Sequence, residues 1–484
     1  MRILLASSEA HPYSKTGGLA DMAGAFSKAL ARKGCQVGLV TPLYAGVRER
    51  FRQLRRLDFP LDIPLGMQRV RAEIWTLDPM PGLTIYFIDE PGFYQRATLY
   101  QKDGQDYPDN AERFIFFSKV AAELALHLPW RPEILHAHDW QAAFSVLFLH
   151  HTRRLAGWAT APRTCLTIHN LAYQGVFPPS QYALTNLPWD YFSHDGVEFY
   201  GRLNCLKAGI AFADVITTVS PRYAREITTE EFGAGLHGLL LQRNRVLKGI
   251  LNGVDYTEWD PGSDPFIRHN FALDSLAHKV RNKADLQAEF GLAQRPDVPL
   301  FGNIGRMVEQ KGVDILHAAL NEMAAYDLQF VLLGSGAPEA QRILQTVAAR
   351  HPEKFAIRIG FDEGLSHRIE AGCDFFIMPS RFEPCGLNQM YSLRYGTIPI
   401  VRAVGGLSDS VVDLREDAAL ANGIKFYQYD SAALVKGVRK ALALYENARL
   451  LSHFRKNGML ADFSWDRTAE EYLKLYEQST GRRK

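Results

Sequence analysis

Three stretches of this chain combine cations, flexible backbone and a carboxylate in ways that could hold a phosphorylated ligand. Lys15-Thr16-Gly17-Gly18 sets an ammonium and glycine amides at the start of a helical pattern, the combination that binds anions. Arg306 and Lys311 lie five residues apart in a loop that runs to Gly312, so two cations could meet one diphosphate. Arg381-Phe382-Glu383-Pro384-Cys385-Gly386-Leu387-Asn388 follows an apolar strand pattern and opens a helix. Its amides can cradle phosphate while Glu383 accepts hydrogen bonds from hydroxyls. Each stretch alone is ordinary and reads more readily as a solvated charge beside a turn. Convergence of all three on one cleft is what points to a nucleoside diphosphate.

Other chemistries find less support. Gly334-Ser335-Gly336-Ala337-Pro338-Glu339 begins like a dinucleotide fingerprint but has Glu339 where the third glycine belongs, and no P-loop pattern occurs. His136-Ala137-His138-Asp139 resembles a ligand cluster, yet no second cluster completes a coordination sphere, so no metal site is expected. Asp139 reads better as a polar group facing the cleft. There is no G-x-S-x-G elbow, and Cys385 reads as a small packing residue in a tight loop. No Asp-x-Asp pair is present to clamp a leaving group through a metal.

The elements that must position these loops follow a repeated grammar. An apolar run at 2–9 leads into the glycine loop, a helix over 19–33 and a strand at 37–41. The pattern restarts at 299–306, with a helix over 313–325 and a strand at 329–333. Further strands are expected near 84–88, 133–137, 164–168, 214–218, 355–359, 374–378, 398–401 and 424–427. Strands separated by helices imply parallel sheets covered on both faces. Two restarts imply two doubly wound domains facing a cleft, with ligands beyond the carboxyl ends of the strands. The expected division is 1–247 for the first Rossmann-like domain and 248–460 for the second. Residues 461–484 hold an amphipathic helix from Ser464 through Tyr476 and a basic frayed end at 480–484.

Composition agrees with an ordinary globular chain of 484 residues, 47% hydrophobic and 22% charged. Lys and Arg total 55 against 53 for Asp and Glu, a balance that gives no support for nucleic acid or a membrane surface as partner. The N-terminus is too short and too soon charged for a signal peptide. Cys35, Cys165, Cys205, Cys373 and Cys385 are scattered and odd in number, so a reducing cytoplasm is expected.

Taken together, Lys15-Thr16-Gly17-Gly18-Leu19, His138-Asp139-Trp140, Thr167 through Gly175, Leu251-Asn252-Gly253-Val254-Asp255, Gly305-Arg306 with Gln310-Lys311-Gly312, and Arg381 through Leu387 resemble bacterial glycogen synthase and plant starch synthase. The resemblance runs in order from residue 1 to about 476. It implies the GT-B glycosyltransferase fold, with the last helix returning to the N-terminal domain. It also implies retaining transfer of glucose from ADP-glucose to the non-reducing 4-hydroxyl of an α-1,4-glucan, with no cofactor. By the same resemblance Lys15, Gly17 and Gly18 face the donor, while Arg306 and Lys311 neutralise the diphosphate. Glu383 holds glucose hydroxyls, Cys385, Gly386, Leu387 and Asn388 line the phosphate loop, and Phe361 stacks on adenine. His169 lies against the transferred glucose near its 6-hydroxyl, Asn252 lies near the sugar, and Asp139 sits on the acceptor side.

The chain departs from the family pattern at Gln141, often His in relatives, at Phe361, often Tyr, and at Asn388, often Thr. Tyr391 stands where related retaining transferases carry a second glutamate. With no carboxylate for the opposite ring face, the expected route is same-face attack within an ion pair. Two alternatives are a related transferase using UDP-glucose or another acceptor, and an idle glucan-binding scaffold. The scaffold would be expected to lack Lys15, Arg306, Lys311 or Glu383, all of which are present.

Overall fold

The fold comes from a computed structural model, which describes residues 1–157 and 161–481. The basic end expected at 480–484 therefore lies outside the described residues from Arg482 onward. Two compact units form: Met1–Gly253 together with Trp465–Lys484, and Val254–Ser464.

The first unit is built on a sheet of β1 (Arg2–Ala6), β2 (Gln36–Pro42), β3 (Arg55–Arg56), β4 (Leu61–Leu65), β5 (Gln68–Met80), β6 (Leu83–Asp89), β7 (Ile134–His138), β8 (Arg163–Ile168), β9 (Val215–Thr218) and β10 (Leu247–Gly249). Their spatial order is β10-β9-β8-β7-β1-β2-β6-β5-β3, with β4 on β5. Every pair from β10 to β6 is parallel, and only β3, β4 and β5 run antiparallel at one edge. The parallel strands are near-continuous apolar runs because helices cover both faces; Ile3, Leu4, Leu5 and Ala6 are all fully buried. From β1 the chain proceeds outward through β2 and β6, then returns to β7 on the other side. This reversal makes the carboxyl ends of β1 and β7 the switch point where a ligand crevice forms.

α1 (Gly18–Arg32) buries Met22, Phe26 and Leu30, and the last helix of the chain packs against this face. Trp465 and Tyr472 of that helix bring their rings to 5.6 and 4.7 Å from Phe26. The helix expected from Ser464 through Tyr476 runs from Trp465 to Thr480.

The second unit carries β11 (Leu300–Met307), β12 (Gln329–Gly336), β13 (Phe355–Ile359), β14 (Phe375–Met378), β15 (Ile398–Arg402) and β16 (Ile424–Phe426). Their order is β13-β12-β11-β14-β15-β16, parallel throughout. The same reversal places a switch point between β11 and β14, so the loops after Met307 and Met378 are its crevice walls. Two apolar layers fill the unit, one around Phe330, Phe375 and Ile400, the other around Val331, Ile369 and Phe376.

Gly312 fixes how those two loops meet. It has φ +74°, and a Cβ there would stand 2.0 Å from the carbonyl oxygen of Pro379. The Arg381 amide also donates to the Gln310 carbonyl at 2.9 Å. Gly312→Ala is expected to cost at least about 2 kcal/mol, combining left-handed backbone strain with displacement of the 379–381 segment. Urea unfolding measures it, and a loss under about 0.5 kcal/mol would show that the loops are not locked together at this point.

Among the described residues no helix is long and apolar enough to cross a membrane, and all five cysteines are buried free thiols.

Candidate active site

In the first unit the crevice loops are held by a carboxylate that the sequence reading did not single out. Glu9 follows β1 and accepts from the Thr16 amide at 2.5 Å, the Thr16 hydroxyl at 2.6 Å and the Gly17 amide at 3.3 Å. Tyr100 donates its hydroxyl at 2.7 Å to Oε1, the oxygen that the Thr16 hydroxyl also reaches. Glu9 thus fixes the path of the glycine loop, with the Gly17 amide directed to it in this structure. Its one sequence signal was an acid at the end of the first strand. Lys15 is a third exposed and pairs with Asp21 of α1 at 2.7 Å.

The other wall is formed where β7 and β8 end side by side. Asp139 opens α2 (Asp139–Ala156) with φ +57°, a conformation short polar side chains tolerate best. Its carboxylate accepts from the His169 amide at 2.7 Å, which ties the end of β8 to the end of β7. Trp140 seals the same junction by lying over Gly175, where an added Cβ would be 2.2 Å from the indole. Burial pushes the Asp139 carboxyl up to about 7, against the opposing pull of the His169 and Asn170 amides. Asn252 is buried near Gly253, which packs on Trp465, at the last turn of the unit's main segment.

Behind this wall is a layer of neutral imidazoles. His136 and His138 are fully buried, and their rings pack at 4.1 Å, tilted by 39°. His136 binds the Tyr476 hydroxyl through Nδ1 at 2.7 Å and the Thr167 hydroxyl through Nε2 at 2.5 Å. His138 Nδ1 lies 3.2 Å from His169 Nε2. Burial drives His136 and His169 down to about 3 and His138 well below its ordinary range. Among the described residues no group of three or more His, Cys, Asp or Glu side chains is arranged to hold a metal ion.

These shifts carry a sign for stability. A histidine that is neutral when folded takes up a proton on unfolding below about pH 6.5, so its contribution is fully present above 6.5 and lost as pH falls toward 3. Asp139 acts oppositely: its raised value favours the folded state at lower pH and that benefit fades as pH rises through about 7. It offsets His169, and the fully buried His136 and His138 remain. Their two protons contribute about 2.7 kcal/mol per pH unit to the slope near pH 5. Urea unfolding of the parent and of His136→Gln should differ in slope by about 1.4 kcal/mol per pH unit, since groups elsewhere drop out of the comparison. Equal slopes would mean that His136 is charged in the folded protein.

The second unit carries the remaining candidates on loops that follow its strands, and it joins two of them at the switch point. Lys311 follows β11, Glu383 follows β14, and Lys311 Nζ lies 2.6 Å from Glu383 Oε2. Glu383 is only 5% exposed and also accepts from the Ser380 hydroxyl at 3.0 Å. Arg306 sits near the end of β11 with its side chain exposed. Gly386 has φ +71° and leads through Leu387 into α3 (Asn388–Arg394). The Asn388 side chain donates to the Ile304 carbonyl at 2.9 Å, tying this helix start to β11. Cys385 is buried, and Phe361, just beyond β13, is 81% exposed with its ring uncovered. Tyr391 turns into the core and stacks on Trp259 at 3.8 Å, leaving no carboxylate at that position.

Two doubly wound parallel units, each with polar and charged loops at its switch point, define a GT-B glycosyltransferase. The starch synthase catalytic domain model matches residues 2–242, and the glycosyl transferases group 1 model matches 287–459. The glycogen synthase of an Anaeromyxobacter species is 48% identical over 481 residues, covering 98% of this chain and 99% of that protein. Glycogen synthase 1 of Geobacter sulfurreducens is 44% identical over 481 residues, covering 98% and 96%. The catalytic domain of starch synthase IV from Arabidopsis thaliana, solved with ADP and acarbose, superposes with a TM-score of 0.89 at 34% identity over 99% of each chain. A sucrose-phosphate synthase from Thermosynechococcus elongatus shares the fold, with a TM-score of 0.61 at 18% identity over all of both chains. The chain belongs to the glycogen synthase and starch synthase family of glycosyltransferases.

Proposed function

We propose that this protein transfers glucose from ADP-glucose to the non-reducing 4-hydroxyl of an α-1,4-glucan, with retention at the anomeric carbon. The observation that carries this reading is the ion pair between half-buried Lys311 and buried Glu383 at the second unit's switch point, with exposed Arg306 near the end of the same strand that leads to Lys311. A pair of that kind presents one cation for a diphosphate and one carboxylate for sugar hydroxyls. The starch synthase solved with ADP and acarbose supports the same classes of donor and acceptor here.

In this scheme Arg306 and Lys311 meet the diphosphate, whose negative charge grows as the C1–O bond breaks. Fixed cations aimed there bind the transition state better than the ground state. The backbone of Gly386, Leu387 and Asn388 meets phosphate, and Phe361 supplies an uncovered ring for adenine, keeping the stacking surface without a tyrosine hydroxyl. Glu383 takes glucose hydroxyls, His169 lies near the 6-hydroxyl, and Lys15, Gly18 and Asn252 contact the donor. Asp139 orients the loop on the acceptor side through its bond to the His169 amide. With Tyr391 committed to the core, the nucleophile is the acceptor hydroxyl itself, attacking on the face from which the diphosphate departs.

The test is incubation of the purified protein with a glycogen primer and either ADP-glucose or UDP-glucose, with and without chelator. Expected is glucan extension with ADP-glucose, little with UDP-glucose, and no loss in chelator. Preferential use of UDP-glucose would assign the donor otherwise, and no transfer from either would return the chain to a glucan-binding role.

A further inference from the structure

Behind His169 lies a group for which the proposed reaction has so far assigned no task. His138 is fully buried, and its Nδ1 faces His169 Nε2 at 3.2 Å. Its other nitrogen, Nε2, is buried and meets no hydrogen-bonding partner among the described residues. The neighbouring His136 cannot serve, because both its nitrogens are taken by Tyr476 and Thr167. Thr167 is in turn fixed by Thr217 at 2.5 Å, so this layer has little freedom to rearrange.

Only one of the two facing nitrogens can carry a proton when both rings are neutral. A proton on His138 Nε2 would leave a buried N–H with nothing to accept it, an arrangement native proteins rarely keep. A proton on His138 Nδ1 leaves an unused lone pair instead and makes the bond to His169. His169 Nε2 is then the acceptor. Its single proton must be on Nδ1, which no described residue takes, and part of the residue remains exposed.

We propose that His138 is a positioning residue that fixes His169 as the Nδ1–H tautomer, so that His169 offers a donor to a substrate hydroxyl. The bond from the His169 amide to Asp139 holds the backbone end of the same residue, so His138 and Asp139 together define both where the ring sits and which nitrogen is protonated. The inference rests on the reading that His169 lies against the transferred glucose.

The full chain, labelled with ¹⁵N-histidine, reports the tautomer directly through two-bond nitrogen–proton correlations, with His138→Asn and His169→Gln variants assigning the signals. Expected is a protonated Nδ1 and a bare Nε2 on His169; a protonated Nε2 overturns the proposal. In kinetics, His138→Leu is expected to lower kcat about 10- to 100-fold with KM for ADP-glucose little changed, by analogy with the loss when the outer partner of a metal-bound imidazole is removed. His138→Asn, whose amide can donate from near the Nδ1 position, should recover most of it. Parental kcat in His138→Leu, or equal impairment of the two variants at matched unfolding midpoints, overturns the proposal as well. Should His138→Leu fail to fold, the spectrum of the parent decides. If His169→Ala keeps parental kcat, the role of His169 in the reaction fails, while the tautomer result stands or falls separately on the spectrum.

Discussion

Lys311→Ala is expected to lower kcat by about 10²–10³, or about 2.7–4 kcal/mol, the loss seen when one fixed electrostatic stabiliser is removed. In the proposed reaction the diphosphate keeps Arg306 and loses the second cation as charge develops on it. KM for ADP-glucose should rise by a smaller factor than kcat falls, because the interaction strengthens toward the transition state. Lys311→Arg should recover only part, since a planar fork does not reproduce a compact ammonium 2.6 Å from Glu383. The structure adds a second consequence. Glu383 is 5% exposed, so Lys311→Ala also leaves a buried carboxylate with only Ser380 donating to it, and the variant should be measurably less stable. Initial rates against donor concentration, per mole of folded protein, separate the two effects. Parental kcat with only a raised KM would mean that Lys311 binds ground and transition states alike.

How much of this was legible beforehand depends on whether the determinant is local. The β–α alternation was, because an apolar run followed by a glycine loop and a 3.6-residue pattern is written in neighbouring residues. The strands expected at 37–41, 164–168, 329–333 and 355–359 each fall within an observed strand. The antiparallel edge strands over 55–80 and the small sheet formed by Val176–Phe177, Glu198–Phe199 and Arg202–Asn204 were not read. Their short, partly polar segments gain order from their partners rather than from a pattern of their own. Gly66, at φ +61° between β4 and β5, was the turn signal available for the first of them.

At the site, residue types suggested which loops carry charge but not which charges meet. Lys311 and Glu383 are 72 positions apart and become partners only because β11 and β14 are adjacent at the switch point. Glu9 was passed over for the same reason: its partners Thr16 and Tyr100 are brought to it by loops whose course no periodicity records. The spacing of the histidines after Glu133 resembles that of metal ligands. Their depth, and the hydroxyls of Tyr476 and Thr167 that occupy His136, come from the last helix and from β8, far away in sequence.

The Lys311–Glu383 pair predicts that stability and catalysis will separate in a double-mutant cycle. Glu383→Gln removes the carboxylate's charge but keeps a group that can still bond to Ser380 and to a hydroxyl. Its kcat should fall because Lys311 loses the partner that holds its ammonium and the sugar loses a charged acceptor. Stability should fall less than in Lys311→Ala, since a neutral amide is cheaper to bury than an unpaired carboxylate. Combining Lys311→Ala with Glu383→Gln removes the orphaned charge that the first change created. The double variant should therefore lose less stability than the sum of the two single changes by about 0.5–3 kcal/mol, the coupling expected of contacting partners. Catalysis should show no such recovery, because neither the cation for the diphosphate nor the carboxylate for the sugar is restored. Urea unfolding and initial rates on the four proteins of the cycle measure both quantities. If stabilities add without coupling, the pair is not held in solution. If the double variant regains kcat over Lys311→Ala, the loss in that variant came from a misplaced Glu383, and the leaving-group role of Lys311 is wrong.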